Sequence, residues 1–153
     1  MSSSRLVDDI NAMLNTAERI QLRSATELLE AGVRFKVNTK SKCLLDLRFS
    51  GGVLEIPQLT VADGTETLFW NMIALEQFHY PHESYILDYV TIMDFLINTG
   101  KDADILIQKE ILENWFGDNH SVANMFNGFC KYIIHSNISP HFSILCKDLN
   151  AFC

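Results

Sequence analysis

The chain has 153 residues, of which 48% are hydrophobic and 20% charged, and its formal net charge is −7. A chain of that size suits one domain that buries about 70% of its unfolded surface, and its composition excludes disorder through the body. The acidic balance, with no long run of Lys and Arg, argues against a duplex or phosphate binder.

The nearest thing to a basic stretch, RFKVNTKSK from Arg34 to Lys42, reads as a solvated loop. The four cysteines, Cys43, Cys130, Cys146 and Cys153, are far apart and never in CxxC spacing, which fits free thiols in a reducing compartment. The N-terminus has no uninterrupted apolar core of a signal peptide, and no apolar run reaches the roughly 20 residues needed to span a bilayer. A soluble, cytoplasmic chain with no transmembrane segment is the expectation.

In chain order, Leu6, Ile10, Met13 and Leu14 are spaced for a short helix within an N-terminal extension, residues 1–22. The rest, 23–153, reads as a single domain. Ser24 and Glu27 form a capping box for a second helix, which Gly32 ends. Val33, Phe35 and Val37 then alternate with Arg34 and Lys36, the period of a strand. In LLDLRFSGGVLEIP, a two-residue turn at Gly51-Gly52 pairs Ser50 with Val53, Phe49 with Leu54, Arg48 with Glu55 and Leu47 with Ile56. This register puts apolar against apolar on one face and opposite charges together on the other. Pro57 ends the second strand.

Four helices are predicted to follow. One opens on a capping-box pattern at Asp63 and Glu66 and runs through Leu75; it is apolar around much of its circumference and reads as the central, buried helix. The next spans about Ser84 to Asn98, with Tyr85, Ile86, Tyr89, Val90, Met93, Leu96 and Ile97 inward, Asp88, Thr91 and Asp94 outward, and Gly100 as its close. A third starts near Asp102 and carries Ile105, Ile107, Ile111, Leu112, Trp115 and Phe116 to a stop at Gly117. The fourth starts among Asp118 to Ser121 and buries Val122, Phe126, Phe129, Cys130 and Ile133. After a break at Pro140 one short final helix fits. The reading is a mainly α (α+β) domain of antiparallel helices with a small β-hairpin around Gly51-Gly52.

LEQFHYPHES, residues 75–84, is the stretch that most resembles chemistry. Glu76 and His79 are three apart, but Pro81 takes the residue before it out of helical geometry, so His79 and His82 do not form the i, i+4 pair of a helical zinc motif. A metal or catalytic site on Glu76, His79 and His82 would need the loop to fold back, with Glu83 as a further ligand. The plainer reading is a helix C-terminus, where histidine complements the macrodipole, and Glu76 as a structural acceptor. No phosphate loop, nucleophile elbow or cofactor motif is present. Cys130 and His135 point different ways on a helix. Asp46, Asp88, Asp94, Asp102 and Asp104 read as solvated carboxylates, and Trp115, Phe116, Phe126 and Phe129 as core.

SATELLEAGVRFKV, LLDLRFSGGVLEIPQLTVADGTETLFWNMIALEQ and SYILDYVTIMDFLINTGKDADILIQKEILENWFGDNHSVANMFNGFCK, in that order, resemble the C-terminal half of the plant DUF247 proteins, also called UPF0481. The resemblance covers about Arg23 to the end. It implies longer relatives, with an N-terminal region bearing a Ser-Ile-Gly-Pro-Tyr-His-His-like motif and a C-terminal hydrophobic segment that anchors them in plasma membrane or endomembrane. FSILCKDLNAFC resembles the stretch before that segment. A cysteine often follows the Glu-Gln pair in the family, where this chain has Phe78.

The resemblance implies no enzymatic activity to carry over and, through family members associated with self-incompatibility in grasses, a role in recognition. The sequence therefore points to a non-catalytic protein-interaction module, with no cofactor and no nucleic-acid partner. Arg48 and Glu55 on the hairpin's polar face are its candidate contacts. The alternatives are an incomplete fragment of a larger membrane-anchored protein, prone to self-association, and a metalloprotein or enzyme using Glu76, His79 and His82.

Overall fold

A computed structural model describes residues 22–79, 85–131 and 140–153. The N-terminal helix read from Leu6 to Leu14, the side chain of Cys130, and His82, Glu83, Ile133 and His135 lie outside the described residues. The protein is mainly helical with small sheets, as the sequence implies. The described elements are α1 (Ala25–Glu30), β1 (Arg34–Val37), β2 (Arg48–Ser50), β3 (Val53–Ile56), β4 (Leu59–Val61), α2 (Thr65–His79), α3 (Tyr85–Leu96), α4 (Gly100–Gln108), β5 (Leu112–Asn114), α5 (Asn119–Lys131) and α6 (Pro140–Phe152).

The Ser24–Glu27 capping box starts α1: the Ser24 side chain accepts from the Glu27 amide and the Glu27 carboxylate from the Ser24 amide. The helix ends in a Schellman motif, with the Gly32 amide donating to Leu29 O and the Val33 amide to Leu28 O. Gly32 sits at φ 100°, open to glycine at little steric cost. That turn delivers the chain into β1, which pairs parallel to β3.

The hairpin forms with the register read from the sequence, Arg48 opposite Glu55, Phe49 opposite Leu54 and Ser50 opposite Val53. Gly51 and Gly52 both have positive φ, at 59° and 79°. The sheet order is β1-β3-β2. Its inner side chains Phe35 and Leu54, with Ile56, are buried.

The stretch read as the second half of the third helix is different. α4 ends at Gln108 and the chain turns through a second Schellman motif, with the Glu110 amide donating to Ile107 O and the Ile111 amide to Leu106 O. Leu112–Asn114 then forms β5, parallel to β4. Helix periodicity cannot distinguish ILENWF from a short strand, because its partner LTV lies some fifty residues away. Gly100, read as closing a helix, instead opens α4 behind the N-cap Thr99.

Three further expectations are corrected. α2 is not the buried centre: it buries Thr65, Phe69 and Ile73, while Leu68, Leu75 and Phe78 are exposed. It opens at Thr65, whose hydroxyl accepts from the Ala62 amide. The central helix is α3, which buries Leu87, Asp88, Tyr89, Val90, Ile92, Met93 and Leu96 and packs against α2 and α5. Asp88 and Asp102 are buried rather than solvated. Trp115, 69% exposed, lies on the surface beyond β5, whereas Phe126 and Phe129 do lie in the core, against Phe69 at centroid distances of 6.4 and 5.9 Å. The final helix read after the break at Pro140 is α6, and Pro140 opens it, as suits a residue whose missing N–H is unneeded at a helix start.

Candidate interaction surface

The carboxylates in unusual settings hold helices together. Asp102 is the third residue of α4, and its Oδ2 accepts from the Asn98 and Thr99 amides at 3.1 and 2.9 Å and from the Thr99 hydroxyl at 3.2 Å. Its Oδ1 accepts from the Thr26 amide at 2.8 Å and the Thr26 hydroxyl at 2.6 Å. One carboxylate thus serves the N-termini of both α4 and α1, where the first-turn amides have no partner in their own helix. Burial pushes the Asp102 pKa up, but the hydrogen bonds from Thr26 and Thr99 outweigh it and hold the carboxyl below its ordinary range.

Glu76 has a comparable position. Its carboxylate accepts from the Ile86 amide at 2.9 and 3.2 Å and from the Leu87 amide at 3.4 Å, so it caps α3 from the last turn of α2. The negative charge also faces the positive end of the α3 dipole. His79 is exposed at the C-terminus of α2, its ring 5.1 Å from that of Phe78. Among the described residues, no cluster of three or more His, Cys, Asp or Glu has the arrangement of a metal site. Cys146 is buried, and burial, with the nearby Asp88 carboxyl, pushes its thiol up to about 11; Cys43 and Cys153 are exposed.

The polar side of the sheet is arranged differently. Its strand alternation leaves Arg34, Lys36 and Arg48 exposed and Glu55 half-buried. Lys36 pairs in register with Glu55, and Glu55 with Arg48, so the three form a row across β1, β3 and β2. The ion pair Arg48 makes is with Asp46, two residues back, its Nε and Nη2 lying 2.9 and 3.2 Å from Oδ1 and Oδ2. Hydrogen bonding from Arg48 holds the Asp46 carboxyl below its ordinary range.

Beyond β1 the loop is organised by Asn38, which is buried, donates from Nδ2 to Asp46 O at 2.9 Å and accepts from the Lys40 amide at 3.2 Å. Lys40 and Lys42 project from this loop into solvent. A cleft of about 550 Å3 opens beside it, lined by Val37, Asn38, Lys42, Leu44, Pro57 and Gln58 among others. Arg48 and Glu55 are legible as neighbours within the hairpin itself, whereas only the β1–β3 pairing brings Arg34 and Lys36 onto the same face.

The chain is similar to two proteins of Arabidopsis thaliana. It is 29% identical to UPF0481 protein At3g47200 over 131 residues, which are 84% of this chain and 28% of that protein. It is 23% identical to Putative UPF0481 protein At3g02645 over 117 residues, 76% of this chain and 22% of that protein. The chain thus spans less than a third of the length of these relatives. No solved structure matches it. No helix among the described residues is long and apolar enough to cross a membrane. The DUF247 profile, described as a plant protein of unknown function, matches residues 7–153, starting upstream of Arg23, so the chain belongs to the DUF247 family.

Proposed function

We propose that this chain is a non-catalytic protein-interaction module whose contact surface is the polar face of the β1-β3-β2 sheet. The observation that carries the reading is the solvent-facing row Lys36, Glu55 and Arg48 across three strands in fixed register. Charged side chains on a rigid sheet lose less freedom on binding than the same groups on a loop, which favours recognition. The carboxylates with the most unusual surroundings, Asp102 and Glu76, are engaged in capping helices, which leaves them poorly placed for acid–base work.

Affinity capture from plant tissue extract, with the wild-type chain beside Arg48→Glu and Glu55→Lys variants of equal melting temperature, tests the reading. A specific partner lost in the variants supports it. No partner for a folded wild-type chain sinks it.

A second reading is that the described residues are part of a larger folded unit. Leu68, Leu75 and Phe78 are 56%, 58% and 83% exposed at positions that share one face of α2. Covering that face takes either further polypeptide or a second copy of the chain. Light scattering across a concentration series separates this reading from a self-sufficient monomer.

A further inference from the structure

We infer that the outer face of the β1-β3-β2 sheet, together with the 38–42 loop, docks an acidic polypeptide segment in extended conformation; this rests on the interaction reading above and names the partner's chemistry. Charge distribution is the first argument. Five of the chain's 12 cationic residues, Arg34, Lys36, Lys40, Lys42 and Arg48, fall in a span that holds one acid, Asp46, leaving seven cations against eighteen of the 19 acids elsewhere. A net charge of −7 therefore hides a locally cationic region, into which the sheet brings one further acid, Glu55. Among the described residues, no acidic side chain lies within ion-pair distance of Arg34, Lys36, Lys40 or Lys42.

Geometry is the second argument. Arg34 and Lys36 lie on the same side of β1, one two-residue repeat apart, roughly 6.6 to 7 Å. Alternate side chains of an extended segment recur at the same interval, so carboxylates at i and i+2 match both cations at once. Lys40 and Lys42 are exposed on the loop after β1, whose backbone is held by Asn38 and by the Ser41 hydroxyl, which accepts from the Cys43 amide at 3.1 Å. Val37, Leu44 and Pro57 give the adjoining, largely polar cleft apolar groups for one anchoring side chain, and Glu110 on its lining places that anchor as the segment's uncharged residue.

Other anionic partners fit less well. A duplex rewards a broader cationic surface than one that carries Glu55 and Asp46 within it. A membrane surface favours exposed apolar groups beside the charges. The large exposed hydrophobics among the described residues, such as Leu68, Phe78 and Trp115, belong to other elements.

The test is fluorescence anisotropy on the full 153-residue chain. Its probe is a labelled peptide alternating Glu with Thr around a central Leu, and the comparison probes are the same peptide with Gln for Glu, a labelled DNA duplex and phosphatidylserine vesicles. The expected result is saturable, salt-sensitive binding of the Glu peptide, weakened about tenfold or more in Arg34→Glu/Lys36→Glu/Lys42→Glu, whose circular dichroism and melting temperature match wild type. Equal affinity for the Gln peptide, unchanged affinity in the triple variant, or tighter binding of duplex or vesicles overturns the assignment. A captured partner that survives the triple variant but is lost on Arg48→Glu keeps the interaction reading and removes this one. Absence of both a partner and peptide binding removes both.

Discussion

Asp102 is the residue on which the packing of two helices turns. It accepts five hydrogen bonds and is 2% exposed, so Asp102→Ala leaves the Thr26 amide in the first turn of α1, and the Asn98 and Thr99 amides just ahead of α4, without their acceptor. Losing both caps costs about 2–4 kcal/mol, read as a lower urea midpoint. The pH dependence follows from the depressed carboxyl. A carboxylate whose folded pKa lies below its ordinary 3.8 stabilises the fold fully above that value, and that stability is lost as pH falls through the folded pKa. The drop in melting temperature from pH 7 to about pH 3 is therefore smaller in Asp102→Asn than in wild type.

Tyr89 has the opposite character. Its hydroxyl is buried with no hydrogen-bond partner among the described residues, its ring stacks on Phe69 at 6.0 Å, and burial pushes the phenol up. Removing an unsatisfied hydroxyl removes its desolvation penalty, so Tyr89→Phe leaves stability unchanged or raises it by about 1 kcal/mol. A loss comparable to that of Asp102→Ala means that the hydroxyl makes a bond this structure does not contain.

At the level of elements, the two Schellman turns make a natural comparison. α1–Gly32–β1 and α4–Glu110–β5 each join a capped helix to a parallel strand, but the left-handed position is glycine in one and Glu110, at φ 64°, in the other. The Glu110 side chain is exposed, and Gln58 bonds only its backbone carbonyl. Glu110→Gly relieves the backbone strain and gains about 0.5–1 kcal/mol, measurable as a higher melting temperature. The same substitution in a continuous helix, as the sequence periodicity implied, would lose about 1 kcal/mol. Its sign thus separates the two descriptions.

The α2–α3 junction gives a further expectation. Because Glu76 caps α3 across the connection, Glu76→Ala costs about 1–2 kcal/mol, while zinc leaves the melting temperature of wild type unchanged. A zinc-dependent rise in melting temperature that is lost in His79→Ala would instead point to metal binding at that end of α2.

Across the whole molecule, the exposed apolar stripe of α2, Leu68, Leu75 and Phe78, is the feature to test for association. Leu75→Glu/Phe78→Glu removes two large exposed side chains without touching the buried Phe69 and Ile73. If the stripe is a contact face, light scattering shows the wild-type chain associating with rising concentration and the variant remaining monomeric. Identical monomeric behaviour of both makes the stripe an ordinary surface.

The sequence by itself determined what local rules decide. The Ser24–Glu27 box and Gly32 bounded α1, and Gly51-Gly52 with its flanking alternation set the hairpin register, because each signal lies within a few residues and acts through backbone preference. Tertiary structure alone decided which apolar faces are covered: α2 and α3 are both rich in large hydrophobics, yet α3 is enclosed by its neighbours and α2 is not. The β4–β5 pairing, the double cap at Asp102 and the gathering of Arg34 and Lys36 beside Arg48 were illegible for the same reason. Each joins residues far apart in the chain, and the pairing energy that selects them exists only once the intervening chain has folded.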